Sequence, residues 1–159
     1  MTDIKTPEPS KDIRDGIRLV RAGDYKNGLA ILSEAYAKTG EKSPDGLSYY
    51  GLCLAIVQKK YKNAVDLCKK AIEMQFYRAD HYSNLSRVYL ETDHKQKAID
   101  IVEKGLKVNP EDEGLLKLRK AIGVRARPPI PFLSRSNPLN EFLGRARHAK
   151  KTPAPRKKK

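Results

Sequence analysis

Few residues in this chain have the type and spacing that catalysis requires. The three histidines, His81, His94 and His148, lie on separate predicted elements, with no acid or nucleophile beside them at a catalytic spacing. The sequence contains no glycine-rich phosphate loop and no cluster of metal ligands. We therefore expect that the protein is not an enzyme and that it needs no cofactor and no metal.

The cysteines and the apolar runs bear on the cellular compartment. Cys53 and Cys68 do not have the spacing of a metal site or a CxxC motif. Each stands among apolar residues of a predicted helix, so we expect both to be buried and reduced. No apolar run approaches the roughly 18 residues of a membrane-spanning helix, and the first residues lack the apolar stretch of a signal peptide. These features predict a soluble cytoplasmic protein.

Positive charge is concentrated at the C-terminus. The 159 residues have a formal net charge of +14, and residues 124–159 hold eleven lysines and arginines against one acid, Glu141. Such an excess favours an anionic partner, because basic arms bind phosphate backbones with little sequence preference. The alternative is a solvated tail that aids solubility. The candidate contacts to RNA, a ribosome or an anionic membrane are Arg145, Arg147, Lys150, Lys151, Arg156, Lys157, Lys158 and Lys159.

Helices must position any binding surface in the rest of the chain. In residues 79–110, apolar side chains recur at every third or fourth position in two runs, separated by a polar turn at 92–94. This periodicity predicts two amphipathic helices joined by a tight turn. Asn109-Pro110 ends the unit, because proline cannot continue a helix and disfavours helical geometry in the residue before it.

The same stretch resembles a tetratricopeptide repeat, a helix–turn–helix unit of about 34 residues. The aromatic-xx-Leu-xxx-Tyr run of the first helix is present as Tyr82, Leu85 and Tyr89. The small position of the second helix is Ala98, and the closing proline is Pro110. The resemblance implies an all-α helical solenoid whose shape does not specify a ligand.

Two preceding segments and one following segment extend the pattern. Gly51 matches the small position at which the two helices of a repeat cross, but the distance from Gly51 to Tyr61 is one residue long, which leaves the register of residues 55–60 open. We predict an all-α, tetratricopeptide-like solenoid over residues 10–123. It comprises three repeats at about 10–40, 44–76 and 77–110 and a capping helix at 111–122.

The two ends of the chain are expected to lie outside this array. Residues 1–9 are predicted to be a flexible leader and residues 145–159 a flexible basic tail. Residues 124–144 are predicted to be a proline-rich linker with a short apolar helix. We expect this segment to dock on the capping helix or in the groove. The alternative is docking on another protein or on a second copy of the chain. The PFLSR…NPLN…LG ending resembles that of small bacterial tetratricopeptide proteins.

The resemblance implies a groove lined by the first helices, in which such arrays hold a peptide. A carboxylate-binding pattern of basic and asparagine residues does not carry over, because Ile13 and Ile17 occupy its first two positions. The remaining positions are largely apolar and aromatic, which suits an apolar ligand. The candidate groove residues are Tyr49, Tyr50, Asn84 and Arg87, although the two tyrosines would also suit packing between repeats.

Two functions follow from these features. The favoured one is a non-enzymatic scaffold that binds a partner peptide or protein through the groove. The alternative is an RNA- or ribosome-associated factor that binds phosphate through its basic tail. Salt dependence separates them, since phosphate binding falls steeply with salt. The sequence leaves the oligomeric state open.

Overall fold

A computed structural model of the chain describes residues 9–123, 138–139 and 142–143. All regular elements in these residues are helical, which confirms the all-α prediction. The helices are α1 (Lys11–Arg21), α2 (Tyr25–Thr39), α3 (Pro44–Gln58), α4 (Tyr61–Met74), α5 (Ala79–Glu91), α6 (Lys95–Val108) and α7 (Glu113–Ala121), with a short 3-10 helix at Gly40–Lys42.

The chain divides into two compact units, Met1–Val124 and Arg125–Lys159. In the second unit, residues 138–139 and 142–143 are helical. The predicted docking of residues 124–144 and the predicted basic tail at 145–159 otherwise lie outside the described residues. No helix in the described part of the chain is both long enough and apolar enough to cross a membrane.

Side-chain caps begin four of the helices. In each, the oxygen of the residue before the helix accepts a hydrogen bond from an amide in the first turn, which satisfies a donor that the helix itself leaves unpaired. The capping residues are Ser10, Asp24, Ser43 and Asp112. Pro44 follows Ser43 directly and suits the first turn of α3, where its missing N–H costs nothing.

Three turns join the first and second helix of each pair, and each contains one residue with a left-handed backbone: Gly23, Lys59 and Asp93. In the first and third turns, the amide after this residue donates to the carbonyl five positions back. In the middle turn, the amide of Lys60 donates to the carbonyl of Leu54, six positions back, at 3.1 Å. The hydrogen-bonded loop at the end of α3 therefore spans one residue more, which accounts for the long spacing from Gly51 to Tyr61, although only Lys59 and Lys60 separate α3 from α4.

The helices of each pair pack closely on one another. At Gly51, a Cβ atom would lie 2.9 Å from the Ala64 carbonyl oxygen and 3.0 Å from the Cys68 Sγ, so α3 and α4 approach at a point that admits only glycine without adjustment. Cys53 and Cys68 are both fully buried, as predicted, and burial raises the pKa of each thiol to about 12. These thiols are consequently structural apolar groups.

Two apolar clusters form the core. The larger one joins α1 to α4 and receives Leu85 and Val88 from α5. The smaller one surrounds Leu115 of α7, which is fully buried against the third helix pair. Arg119 Nε donates to Glu103 Oε1 at 2.6 Å and ties α7 to α6. Helix α7 thus covers the side of the third helix pair that faces away from the second pair.

Candidate functional site

A cavity of about 360 Å³ lies between α1, α3 and the N-terminal end of α5. These are the first helices of the three pairs; α1 and α3 contribute lining side chains, and the third pair contributes Arg78, the residue before α5. A volume of this size is within the range of ligand-binding pockets. The cavity is lined by Pro9, Arg14, Ile17, Arg18, Arg21, Asp45, Tyr49 and Arg78.

One wall of the cavity is a stripe of arginines on α1. Arg14, Arg18 and Arg21 are spaced at i, i+4 and i+7, which places them on one helix face. Arg14 Nη1 donates to the Pro9 carbonyl at 2.6 Å, and Arg18 Nη2 contacts Asp15 Oδ1 at 3.5 Å. The Arg18 side chain is 78% exposed, so its charge is open to a ligand.

The innermost arginine of this stripe joins the three helices. Arg21 Nε donates to the Tyr49 hydroxyl of α3 at 2.9 Å, and its Nη2 donates to Asp80 Oδ2 of α5 at 3.1 Å. The Tyr49 hydroxyl and the two nearby carboxylates of Asp45 and Asp80 raise the pKa of Arg21. Burial raises the pKa of Tyr49, so the phenol stays protonated near neutral pH.

The opposite wall is formed by Arg78, the residue before α5. Its Nη2 donates to Asp45 Oδ1 at 3.3 Å and lies 3.6 Å from Asp80 Oδ2. His81 Nε2 lies 3.9 Å from the same Asp45 oxygen. The carboxylates of Asp45 and Asp80 therefore hold Arg78 in place, and Asp80 also holds Arg21.

The structure brings only one of the four predicted groove residues to this cavity. Tyr49 lines it, whereas the Tyr50 ring stacks on Tyr36 of α2 at a centroid distance of 5.1 Å. Asn84 is buried, and its Nδ2 donates to Ser48 Oγ at 3.0 Å, which links α5 to α3. Arg87 is exposed on α5 and does not line the cavity. The ligand-binding role of all four stays a prediction.

The expectation of an apolar, aromatic face does not hold for this cavity. Ile17 lies in it as an apolar contact, but four of the eight lining residues are arginines. Ile13 and Ile17 occupy the pattern positions on α1, and an arginine follows each of them in the sequence. The i, i+4, i+7 spacing of Arg14, Arg18 and Arg21 was a readable signal. No sequence signal indicated that Arg78 and Asp45, which belong to other repeats, would also line the cavity.

The eight predicted phosphate-binding residues at 145–159 lie outside the described residues. Within the described part of the chain, no group of three histidine, cysteine or acidic side chains is placed to hold a metal. The arginine-lined cavity is therefore the feature that carries the functional argument.

No protein-family model matches the sequence, and no curated protein sequence matches it. Solved structures are nevertheless similar in fold. The tetratricopeptide repeat protein TTC0263 of Thermus thermophilus has 17% identity and a TM-score of 0.61, over 72% of this chain and 64% of that one. The second such domain of human RPAP3, solved with the HSP70 peptide SGPTIEEVD, has 15% identity and a TM-score of 0.55, over 72% and 93% of the two chains.

A third structure, YrrB, is described as a tetratricopeptide repeat protein with an unusual peptide-binding site. It has 21% identity and a TM-score of 0.56, over 69% of this chain and 55% of that one. Identities at this level establish the fold and leave the ligand open. With its three helix pairs and covering helix α7, the chain has the fold of a tetratricopeptide repeat protein.

Proposed function

We propose that this protein is a non-enzymatic interaction module that binds a peptide segment of a partner protein in the arginine-lined cavity. The observation that carries the proposal is that one cavity of about 360 Å³ is lined by side chains of α1 and α3 and by Arg78, the residue that precedes α5. A site assembled in this way depends on the array as a whole, which is how a repeat fold presents an extended binding surface.

The chemistry of the cavity favours a peptide with acidic and apolar groups. Ile17 supplies apolar surface, while Arg14 and Arg18 supply positive charge. Peptide complexes are known for structures of the same fold, such as the RPAP3 domain with its HSP70 peptide. That precedent supports the class of ligand and not its identity.

The test uses peptides selected from a random display library on the full chain. Their affinities are then measured for Arg18→Glu and for Lys62→Glu, a matched charge reversal at an exposed residue of α4. We expect Arg18→Glu to weaken binding by about tenfold or more, since it places like charge against an acidic peptide, and Lys62→Glu to change it by less than about twofold. Equal effects of the two variants would refute cavity binding.

A second candidate function rests on the charge of the C-terminal residues. Residues 124–159 carry eleven basic residues against one acid, an excess that suits an RNA or a ribosome. The discriminating measurement is co-sedimentation of the full chain with ribosomes at low and raised salt. Salt-sensitive binding that is lost when Arg156 and Lys157 to Lys159 become glutamine would support this candidate; binding that survives those changes, or no binding, would retire it.

A further inference from the structure

Every cation that lines the cavity is an arginine, although lysine is the commoner basic residue in this part of the chain. Residues 9–123 contain fifteen lysines and six arginines. None of the described lysines lines the cavity, whereas four of the six arginines do. These four are Arg14, Arg18, Arg21 and Arg78. A guanidinium presents a planar fork of donors that fits an oxyanion with two parallel hydrogen bonds, whereas an ammonium is a flexible point charge. The choice of arginine indicates an oxyanion ligand.

The residues that line the cavity carry more positive than negative charge. Against the four guanidiniums stand Asp45, which lines the cavity, and Asp80, which contacts Arg21 and Arg78. Asp15 contacts Arg18 but does not line the cavity. The lining alone therefore has three more cations than carboxylates, and the excess is one when Asp15 and Asp80, which contact lining arginines, are included. On the lining residues alone, a phosphate monoester, which carries a charge of about −1.5 to −2 at neutral pH, offsets more of the excess than a single carboxylate does.

Donors are available on two walls. Arg21 and Arg78 are held by Tyr49, Asp45 and Asp80, so their orientation is set before a ligand arrives. Arg14 and Arg18 each have one hydrogen-bond acceptor within the described chain, out of the five N–H groups of a guanidinium. The three terminal oxygens of a phosphate monoester can accept from more such forks than the two oxygens of a carboxylate, which offer about four acceptor sites.

We propose that the cavity binds a phosphorylated side chain of the partner peptide, with Arg14 and Arg18 on one wall and Arg78 on the other as its donors. This inference rests on the proposed function, because it names the chemistry of the segment that the module would bind. A nucleic acid fits the site less well, since Tyr49, the aromatic residue that lines it, is only 4% exposed and offers no face for base stacking.

The test is an NMR titration of the ¹⁵N-labelled full chain with three neutral-flanked peptides. They carry phosphoserine, serine or glutamate between two leucines and are otherwise identical. The signals followed are the α1 backbone amides and the Arg21 Nε–H, at about physiological salt to screen the basic C-terminal residues. We expect the phosphoserine peptide to shift these signals saturably and to bind about tenfold or more tightly than the glutamate peptide.

Variants separate the cavity from general basicity. Arg18→Gln should weaken the phosphoserine peptide about fivefold or more, while Lys62→Gln, which removes the same charge from α4, should leave its affinity within about twofold. Equal affinity for the phosphoserine and glutamate peptides would overturn the inference. So would phosphopeptide shifts confined to residues 145–159, or oligouridine shifting α1 as strongly as the phosphopeptide.

Failure of this inference can be told apart from failure of the proposed function. If library-selected peptides without phosphate bind in an Arg18-dependent way while phosphoserine gives no preference, the module stands and the phosphate inference falls. If the selected peptides bind equally well to the Arg18 and Lys62 charge reversals, and the phosphoserine peptide shows no dependence on Arg18 either, the proposed function falls together with the phosphate inference.

Discussion

The His81 imidazole is fully buried beside the cavity, and neither ring nitrogen has a hydrogen-bond partner among the described residues. Burial lowers the pKa of His81, because a buried imidazolium would lose its hydration. Asp45 and Asp80 act in the opposite direction, and Arg78 reinforces the lowering. Since burial is the largest cause, the folded state holds His81 in its neutral form near pH 7.

This pKa has a direct consequence for stability. As the pH falls below the ordinary histidine pKa of about 6.5, the unfolded chain binds a proton at His81 before the folded chain does. Stability is therefore fully present above that pH and falls below it, by up to about 1.4 kcal/mol per pH unit until the folded pKa is reached. Urea unfolding between about pH 7.5 and pH 5.5 measures it.

The variant His81→Leu removes both the titration and the unpaired nitrogens. We expect its free energy of unfolding to fall less between those two pH values than that of the wild type, by on the order of 1 kcal/mol. The comparison uses the pH slope of each protein, so a packing penalty common to both pH values cancels. The same slope in both proteins would show that another group controls the acid sensitivity.

At the scale of helices, α7 is held by one of two adjacent leucines. Leu115 is fully buried, and its Cδ1 would lie 2.7 Å from a Cβ atom on Gly105 of α6. Leu116, the next residue, is 42% exposed. Replacing each leucine by alanine therefore distinguishes the contribution of buried packing, which only Leu115 makes, from the change in helix propensity, which is the same at both positions.

Leu115→Ala should lower the free energy of unfolding by roughly 2 to 5 kcal/mol, because it removes buried methyl groups and leaves a cavity between α7 and the third pair. Leu116→Ala should change it by less than about 1 kcal/mol, since an exposed side chain loses little on truncation. Chemical denaturation monitored by circular dichroism measures both. Similar losses for the two variants would mean that α7 does not pack as described.

The turn after α3 shows how an element can absorb an irregular sequence. The middle repeat has one extra residue between its small position and its second helix, and the backbone accommodates it with a six-residue hydrogen bond, from the amide of Lys60 to the carbonyl of Leu54, and a left-handed Lys59. A lysine in that conformation costs more than glycine would, because its Cβ crowds the backbone. With this loop, α3 and α4 still approach closely at Gly51.

For the whole molecule, the middle repeat is the most enclosed part of the array. Its two thiols, Cys53 and Cys68, lie on α3 and α4 and have no exposed surface. With a pKa of about 12, roughly one thiol in ten thousand is ionised near pH 8. A thiol reagent can therefore react with Cys53 or Cys68 only after local or global unfolding exposes the thiol.

We expect both cysteines of the native chain to react about a thousandfold or more slowly than those of the urea-unfolded chain. Leu115→Ala should speed the reaction, because a less stable array populates open states more often, whereas Leu116→Ala should not. Absorbance or mass spectrometry after addition of a thiol reagent follows the reaction. Rapid labelling of either thiol in the folded wild type would reveal a local opening of the α3–α4 pair.

The sequence by itself was sufficient for the architecture. Apolar residues at every third or fourth position define which face of a helix is buried, and this local information located three helix pairs and a covering helix. The aromatic, leucine and alanine positions of residues 79–110 then identified the repeat. Caps such as Ser10 were also readable, because a cap involves residues only three positions apart.

Only the tertiary structure decided which residues meet at the cavity. Arg21 contacts Tyr49, which is 28 positions away along the chain, and Asp80, which is 59 positions away. No local sequence pattern indicates contacts over such separations. For the same reason, the sequence did not predict the buried hydrogen bond of Asn84 with Ser48 or the stacking of Tyr50 on Tyr36 of α2. Periodicity specifies the face of one helix, whereas a binding site depends on how the faces of several helices are rotated and brought together by packing.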